Sequence, residues 1–199
     1  DVLLIFKAIV KKENLVVVTA RFLPNENLDF IPIVAGKVKD THFYVVGPCR
    51  ETSEKFLFDF KRLIAELGIN NVKVLVNRPR GEYLELLLRA KIFFRTLLYE
   101  TFGISVVEAM AAGCVPVVPR CGGPWFDIFG CKQGVYGFSY RSVEEAADLI
   151  NMLLSDDGLR VEVATKALKR AKFFDRSVFE RKILDLADRV FKAKFRRQN

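Results

Sequence analysis

Two carboxylates, Glu100 and Glu108, flank Gly103 in the run Tyr99-Glu100-Thr101-Phe102-Gly103-Ile104-Ser105-Val106-Val107-Glu108. Gly103 lacks a Cβ, so backbone N–H groups beside it can approach a ligand closely. A helix is expected over 105–112, closed by Gly113. Its first turn offers unpaired N–H groups and the positive end of a dipole, a setting that suits a phosphate. Carboxylates repel phosphate but accept hydrogen bonds from hydroxyls. One acid at each end of a diphosphate therefore matches a nucleotide sugar. Glu108 would take the ribose diol, as acidic residues do in dinucleotide folds, and Glu100 the hydroxyls of the sugar. The same two acids also suit any helix start through the dipole alone, and spacing leaves both readings open. Cys121-Gly122-Gly123-Pro124 is a second candidate. Its paired glycines allow close backbone approach and equally fit a plain turn.

These residues must be positioned by the elements around them. Short runs rich in branched and aromatic residues read as strands over 15–19, 42–46, 72–76 and 115–118, with another beginning at Ile92. Helical patterns cover 53–67, 82–90, 105–112, 142–154 and 174–195. Ser142 with Glu145 three residues on forms a capping-box pattern. Phe179, Ile183, Leu186, Val190 and Phe191 make one apolar stripe on the last helix, expected by default to pack on its own domain, with a partner domain as the alternative. The alternation predicts an α/β fold: a Rossmann-like, doubly wound parallel sheet with helices on both faces, plus C-terminal helices. In such sheets ligands sit at the carboxyl ends of the strands, here segments 20–27, 47–50, 77–81, 97–105 and 120–124.

Composition bounds the answer. The chain has 199 residues, of which 51% are hydrophobic, enough for one cored domain and too apolar for disorder. No apolar run reaches the ~18 residues of a membrane-spanning helix, and no signal-peptide pattern opens the chain. It begins at Asp1 in what reads as a linker, so a piece of a longer protein is expected. The net charge of +8 is concentrated in residues 166–199, which hold 12 Lys/Arg and 4 Asp/Glu, while the remainder balances 20 against 20. Such a tail can meet anionic lipid or present a solvated helix face. No aromatic ladder accompanies it, so no nucleic-acid partner is expected. The cysteines Cys49, Cys114, Cys121 and Cys131 form no C-x-x-C pair, and the single histidine, His42, lies in a strand-like run. No metal site and no cofactor are expected. Free thiols suggest a reducing compartment, and a Cys121–Cys131 bridge stays open.

Residues 100–113, the strand over 115–118, Gly122-Gly123-Pro124 and Asp127 together resemble the donor-site signature of the retaining family-four (group one) glycosyltransferases. The resemblance spans nearly the whole chain, and Thr19-Ala20-Arg21-Phe22-Leu23-Pro24 sits where that family has its first phosphate-binding loop. It implies one half of a two-domain GT-B fold: residues 1–199 as the C-terminal, nucleotide-sugar-binding domain, ending in a final helix with a basic tail over 175–199. The wording 96–104 is most similar to the mannosyltransferase subfamily that extends dolichol-linked oligosaccharides, which implies GDP-mannose as donor.

Position by position, the resemblance implies that Glu100 contacts the donor sugar. The backbone at Phe102, Gly103 and Ile104 would contact sugar and phosphate, Glu108 the ribose and Arg21 the diphosphate. Gly122 and Gly123 belong to the same signature. Asn77-Arg78-Pro79 would line the base pocket, with Arg78 either stacked on the base or a solvated surface arginine. The family's second cation, a lysine five residues after the arginine, is here Glu26. Either Lys37 or Arg95 substitutes or the loop is shifted, and a catalytically degenerate nucleotide-sugar-binding module is the alternative function. The resemblance further implies retention of anomeric configuration and an acceptor domain N-terminal to this chain, the missing partner without which the fragment is inactive. It also implies a cytoplasmic location, and the charge of the basic end (192–197) suits the cytosolic face of a membrane.

Overall fold

The computed structural model describes residues 9–195, with side chains through residue 192. Six parallel strands form one sheet in the order β3-β2-β1-β4-β5-β6. They are β1 (Glu13–Thr19), β2 (His42–Gly47), β3 (Val72–Val76), β4 (Ala90–Phe94), β5 (Val115–Pro119) and β6 (Phe138–Tyr140). The helices are α1 (Phe30–Gly36), α2 (Glu54–Glu66), α3 (Arg80–Arg89), α4 (Ile104–Ala111), α5 (Val143–Ser155), α6 (Asp157–Ala171) and α7 (Arg176–Phe195).

Central strands in such a sheet are covered on both faces, which explains their unbroken apolar runs. Successive side chains of a strand point to opposite faces. Val16 and Val18 of β1 join one core, with Ile92 and Phe94 of β4 and residues of α1, α2 and α5. Leu15 and Val17 join the other, with Phe93 and residues of α3 and α4. Helix α6 contributes to both, Val163 and Ala164 to the first and Ala167 and Ala171 to the second. The expected doubly wound sheet with helices on both faces is present.

Three elements appear where the sequence pattern assigns none. β6 has only three residues, too few for a periodicity to register. α1 is seven residues long and carries Pro32, which the first turn of a helix tolerates. α6 buries a face of alanines together with Arg160, so its buried side lacks the large apolar residues that mark an amphipathic helix. Asp156 caps it, accepting a hydrogen bond from Leu159 N at 2.9 Å.

The last helix departs from expectation. Its apolar stripe is not buried: Phe179 is 63% exposed, and Ile183, Leu186, Val190 and Phe191 are exposed with it. α7 follows the short turn Lys172–Phe174. Most of the basic end, 193–199, lies outside the residues whose side chains are described. No helix among the described residues is long and apolar enough to cross a membrane. All four cysteines are free thiols, so the Cys121–Cys131 bridge is absent.

Phe94 is fully buried, with rings of Phe30, Phe43 and Tyr140 within 6.5 Å centroid to centroid. Phe94→Ala should cost about 3–5 kcal/mol in urea unfolding, whereas Phe179→Ala should change stability by less than about 0.5 kcal/mol.

Candidate functional site

The strand order reverses between β1 and β4. Loops leaving these neighbours turn to opposite faces and open a cleft at their carboxyl ends. A cavity of about 380 Å³ lies there, lined from β1 by Thr19, Ala20 and Arg21 and from β4 by Arg95, with α4 adding Ser105 and Glu108. Its far side is built by the ends of β2 and β3 and the first turn of α3.

The floor is backbone. Ala20 N donates to Val46 O at 3.0 Å, drawing the end of β1 against β2. A Cβ on Gly47 would overlap the Ala20 carbonyl oxygen, so only glycine fits. Asn77, at φ 52°, closes the neighbouring wall. Its amide accepts from Cys49 N at 2.8 Å and donates to Cys49 O at 3.1 Å, tying the loop after β3 to the loop after β2.

One wall is the start of α4. Gly103, at φ 97°, is the residue before its first turn. The first intrahelical bonds run from Val106 N and Val107 N to Gly103 O, so the N–H groups of the earlier turn project from the helix end. Ser105 Oγ lies 3.5 Å from Thr19 Oγ1, which brings two hydroxyls to the same end of the cleft.

Glu108 reaches the cleft from the second turn of α4. Its carboxylate is ion-paired with Arg80 and accepts from Tyr83 Oη at 3.3 Å. Burial, then the charge of Glu108, push the Tyr83 phenol above its ordinary range, so it stays a donor.

Beside this wall, four charged side chains alternate in sign. Arg21 Nε donates to Glu26 Oε1 at 2.6 Å, and Arg95 Nη1 to Glu26 Oε2 at 3.0 Å. Arg95 continues to Glu100 Oε2 through Nη2 at 2.8 Å. Glu26 is fully buried while the Arg21 side chain is 54% exposed. The carboxylate in place of the family lysine is thus held between two arginines. Of the two possible substitutes, Arg95 lines the cleft, whereas Lys37 pairs at 3.6 Å with Glu144.

Of the residues singled out from sequence, Arg21, Arg78 and Glu108 line the cleft together. Arg78 is half-exposed and lies 3.7 Å from Glu82. Glu100 is not among the residues lining the cavity and is joined to it through Arg95, at 2.8 Å. Phe102 packs edge-on against Phe174 at 5.4 Å, and Ile104 is 70% exposed at the helix start. Gly122 and Gly123 face the backbone of 100–102: Gly123 N donates to Glu100 O at 2.8 Å, and a Cβ on Gly122 would meet that same oxygen at 2.7 Å. Their lack of side chains lets this loop seat. His42 is exposed at the amino end of β2, the opposite end of the sheet from the cleft. Sequence reasoning did not single out Gly47, Arg80 or Tyr83 for the site. The signal for Gly47 and Arg80 was their place in the segments 47–50 and 77–81 that follow strands, while Tyr83 reads as an ordinary helix residue. Among the described residues, no three of His, Cys, Asp and Glu gather as a metal site.

The family model Glycosyl transferases group 1 matches residues 5–170. The human GDP-Man:Man(3)GlcNAc(2)-PP-Dol alpha-1,2-mannosyltransferase is 32% identical over 152 residues, covering 74% of this chain and 31% of that protein. A Campylobacter jejuni N,N'-diacetylbacillosaminyl-diphospho-undecaprenol alpha-1,3-N-acetylgalactosaminyltransferase is 28% identical over 184 residues, 92% of this chain and 46% of that protein. The chain thus spans less than half the length of either relative. The crystal structure of Anabaena HepE in complex with UDP and glucose has the same fold, with a TM-score of 0.78 at 24% identity over 90% of this chain and 49% of that one.

A Cβ on Gly123 would overlap Thr101 O and approach Phe102 Cα to 2.6 Å. Gly123→Ala should therefore cost about 1–3 kcal/mol by forcing the loop away. Nothing lies within 4 Å of a Cβ on Gly81 in the first turn of α3. Gly81→Ala should gain about 0.4–1 kcal/mol, both read by chemical denaturation.

Proposed function

The chain belongs to the group 1 glycosyltransferases, and we propose that its cleft binds the nucleoside diphosphate sugar from which a longer protein transfers the sugar to a lipid-linked glycan. GDP-mannose is the first choice of donor. The observation that carries this reading is the convergence on one cleft of the α4 N-terminus, the exposed end of Arg21 and the carboxylate of Glu108. A cation and a helix end suit a diphosphate, and a carboxylate beside them suits a ribose diol.

In this reading, departure of the nucleoside diphosphate is the step to be stabilised. Arg21 and the N–H groups of the α4 start face the charge that develops on it. Glu108 exchanges its contact with Arg80 for the ribose hydroxyls. Glu100 orients the sugar so that the acceptor hydroxyl meets the anomeric carbon in a productive geometry. No divalent ion is required, because these groups supply the charge that a metal would. The acceptor site and the anomeric outcome, retention, belong to the longer protein. Relatives whose names carry PP-Dol and diphospho-undecaprenol acceptors support a lipid-linked acceptor.

A second reading has its own support. Arg21 is engaged by Glu26, which suits a module that binds a nucleotide sugar without transferring it. Turnover by the longer protein with a lipid-linked glycan acceptor selects the first reading. Nucleotide-sugar binding without turnover selects the second.

A thermal-shift panel of GDP-mannose, GDP, UDP-glucose and UDP tests binding to the 199-residue chain. Binding to the native state raises Tm by mass action. Glu108→Ala should weaken the effective ligand about 10- to 100-fold, the loss of a charged hydrogen bond. Absence of a shift with all four, or an unchanged shift in Glu108→Ala, overturns the assignment.

A further inference from the structure

Arg95 is the first residue beyond β4, and its main chain is pinned from both sides. Its N donates to Val117 O at 3.0 Å, and its O accepts from Tyr140 Oη at 2.8 Å. Its guanidinium is buried and engaged on two edges. On one, Nη1 donates to Thr19 O at 2.5 Å and to Glu26 Oε2 at 3.0 Å. On the other, Nε and Nη2 both donate to Glu100 Oε2, at 3.2 and 2.8 Å. A planar fork held this way has a fixed direction.

Glu100, by contrast, belongs to an irregular loop between β4 and α4, where its backbone is fixed through the bond from Gly123. Its carboxylate therefore takes its direction from Arg95. Both bonds from Arg95 end on Oε2, which leaves Oε1 without a bond from the arginine. We propose that Arg95 is a positioning residue, which holds Glu100 with Oε1 presented to the donor sugar. The inference rests on the nucleotide-sugar reading of the cleft and adds a residue to it. Glu26 is the counter-charge that makes this possible. It neutralises the second edge of Arg95 in a site where an unpaired buried charge would not be tolerated. Arg21 holds the other oxygen of Glu26 and reaches the cleft, so the group facing the diphosphate and the group facing the sugar share one ionic chain.

A purely structural arginine and a positioning arginine differ in what their loss does to the sugar alone. The experiment measures Kd by calorimetry for GDP-mannose and for GDP, with UDP-glucose and UDP as a second pair, in the 199-residue chain. The ratio within a pair isolates the sugar's contribution. Arg95→Met should weaken the sugar nucleotide at least tenfold more than it weakens GDP or UDP. Glu100→Gln should do the same, the Arg95→Met/Glu100→Gln double variant should be no worse than either, and Arg95→Lys should recover part of the ratio. Should Arg95→Met fail to fold, Glu26→Gln/Arg95→Met removes both buried charges together and carries the same expectation. Equal losses for both members of a pair, additive losses in the double variant, or a wild-type chain without preference for the sugar nucleotide overturn the positioning role and leave nucleotide binding intact. A wild-type chain that binds none of the four overturns the functional reading itself.

Discussion

Between β1 and β4 the sheet changes direction, and the handedness of strand–helix–strand crossovers makes that reversal consequential. Right-handed connections send α1 and α2 to one face while the strands step from β1 to β3. Once β4 returns to the other side of β1, the same handedness puts α3 and α4 on the opposite face. The loops leaving β1 and β4 must part, and no side chain has to be arranged to open the gap. Everything assigned to the site is an occupant of that gap: a backbone floor from β2, a helix start from α4 and charged side chains from the two diverging loops.

A gap made by topology is partly dry, and low polarity governs which charges can live in it. Glu26 is fully buried, yet both its oxygens meet a guanidinium. Burial of an ion is tolerated when its partners are well placed, and such a group strongly specifies the arrangement around it. The replacement of an expected cation by an acid thus leaves an ordered chain of alternating charge, with Arg95 contributed by β4 and not by the loop that carries Arg21. Glu108 obeys the same rule nearer solvent, where Arg80 and Tyr83 satisfy it.

The sheet was legible because doubly covered strands must be apolar throughout, and runs such as Val16-Val17-Val18 state this directly. The helices with large apolar residues on one side, such as α2 and α5, were equally plain. α6 escaped because alanine buries well but weighs little in any periodicity, and β6 because three residues hold no period. α7 was read correctly as an amphipathic helix and wrongly as packed: an apolar stripe reveals that a face is suited to burial, not which surface lies opposite. In the site, Glu108 was found from its spacing beyond Gly103 and the helix start, whereas Arg21 and Arg78 were named through the family resemblance. Arg95 entered only as a possible substitute for a missing lysine, since an arginine at the end of Ile92-Phe93-Phe94 carries no local sign of facing a cleft. Gly122 and Gly123 were recognised as special, but their neighbours, the 100–102 backbone, are set by tertiary packing that no local pattern reports.

Gly47 and Gly123 meet main-chain atoms and not movable side chains. Relief by a rotamer change is therefore impossible at either position, and a substitution must shift a strand end or a loop. Sequence drift can alter the acids and bases around the cleft one at a time, as Glu26 illustrates, while these two positions stay closed to every residue larger than a hydrogen. The shape of the cavity is consequently more heritable than its chemistry, a condition under which one scaffold can acquire different donor preferences without being rebuilt.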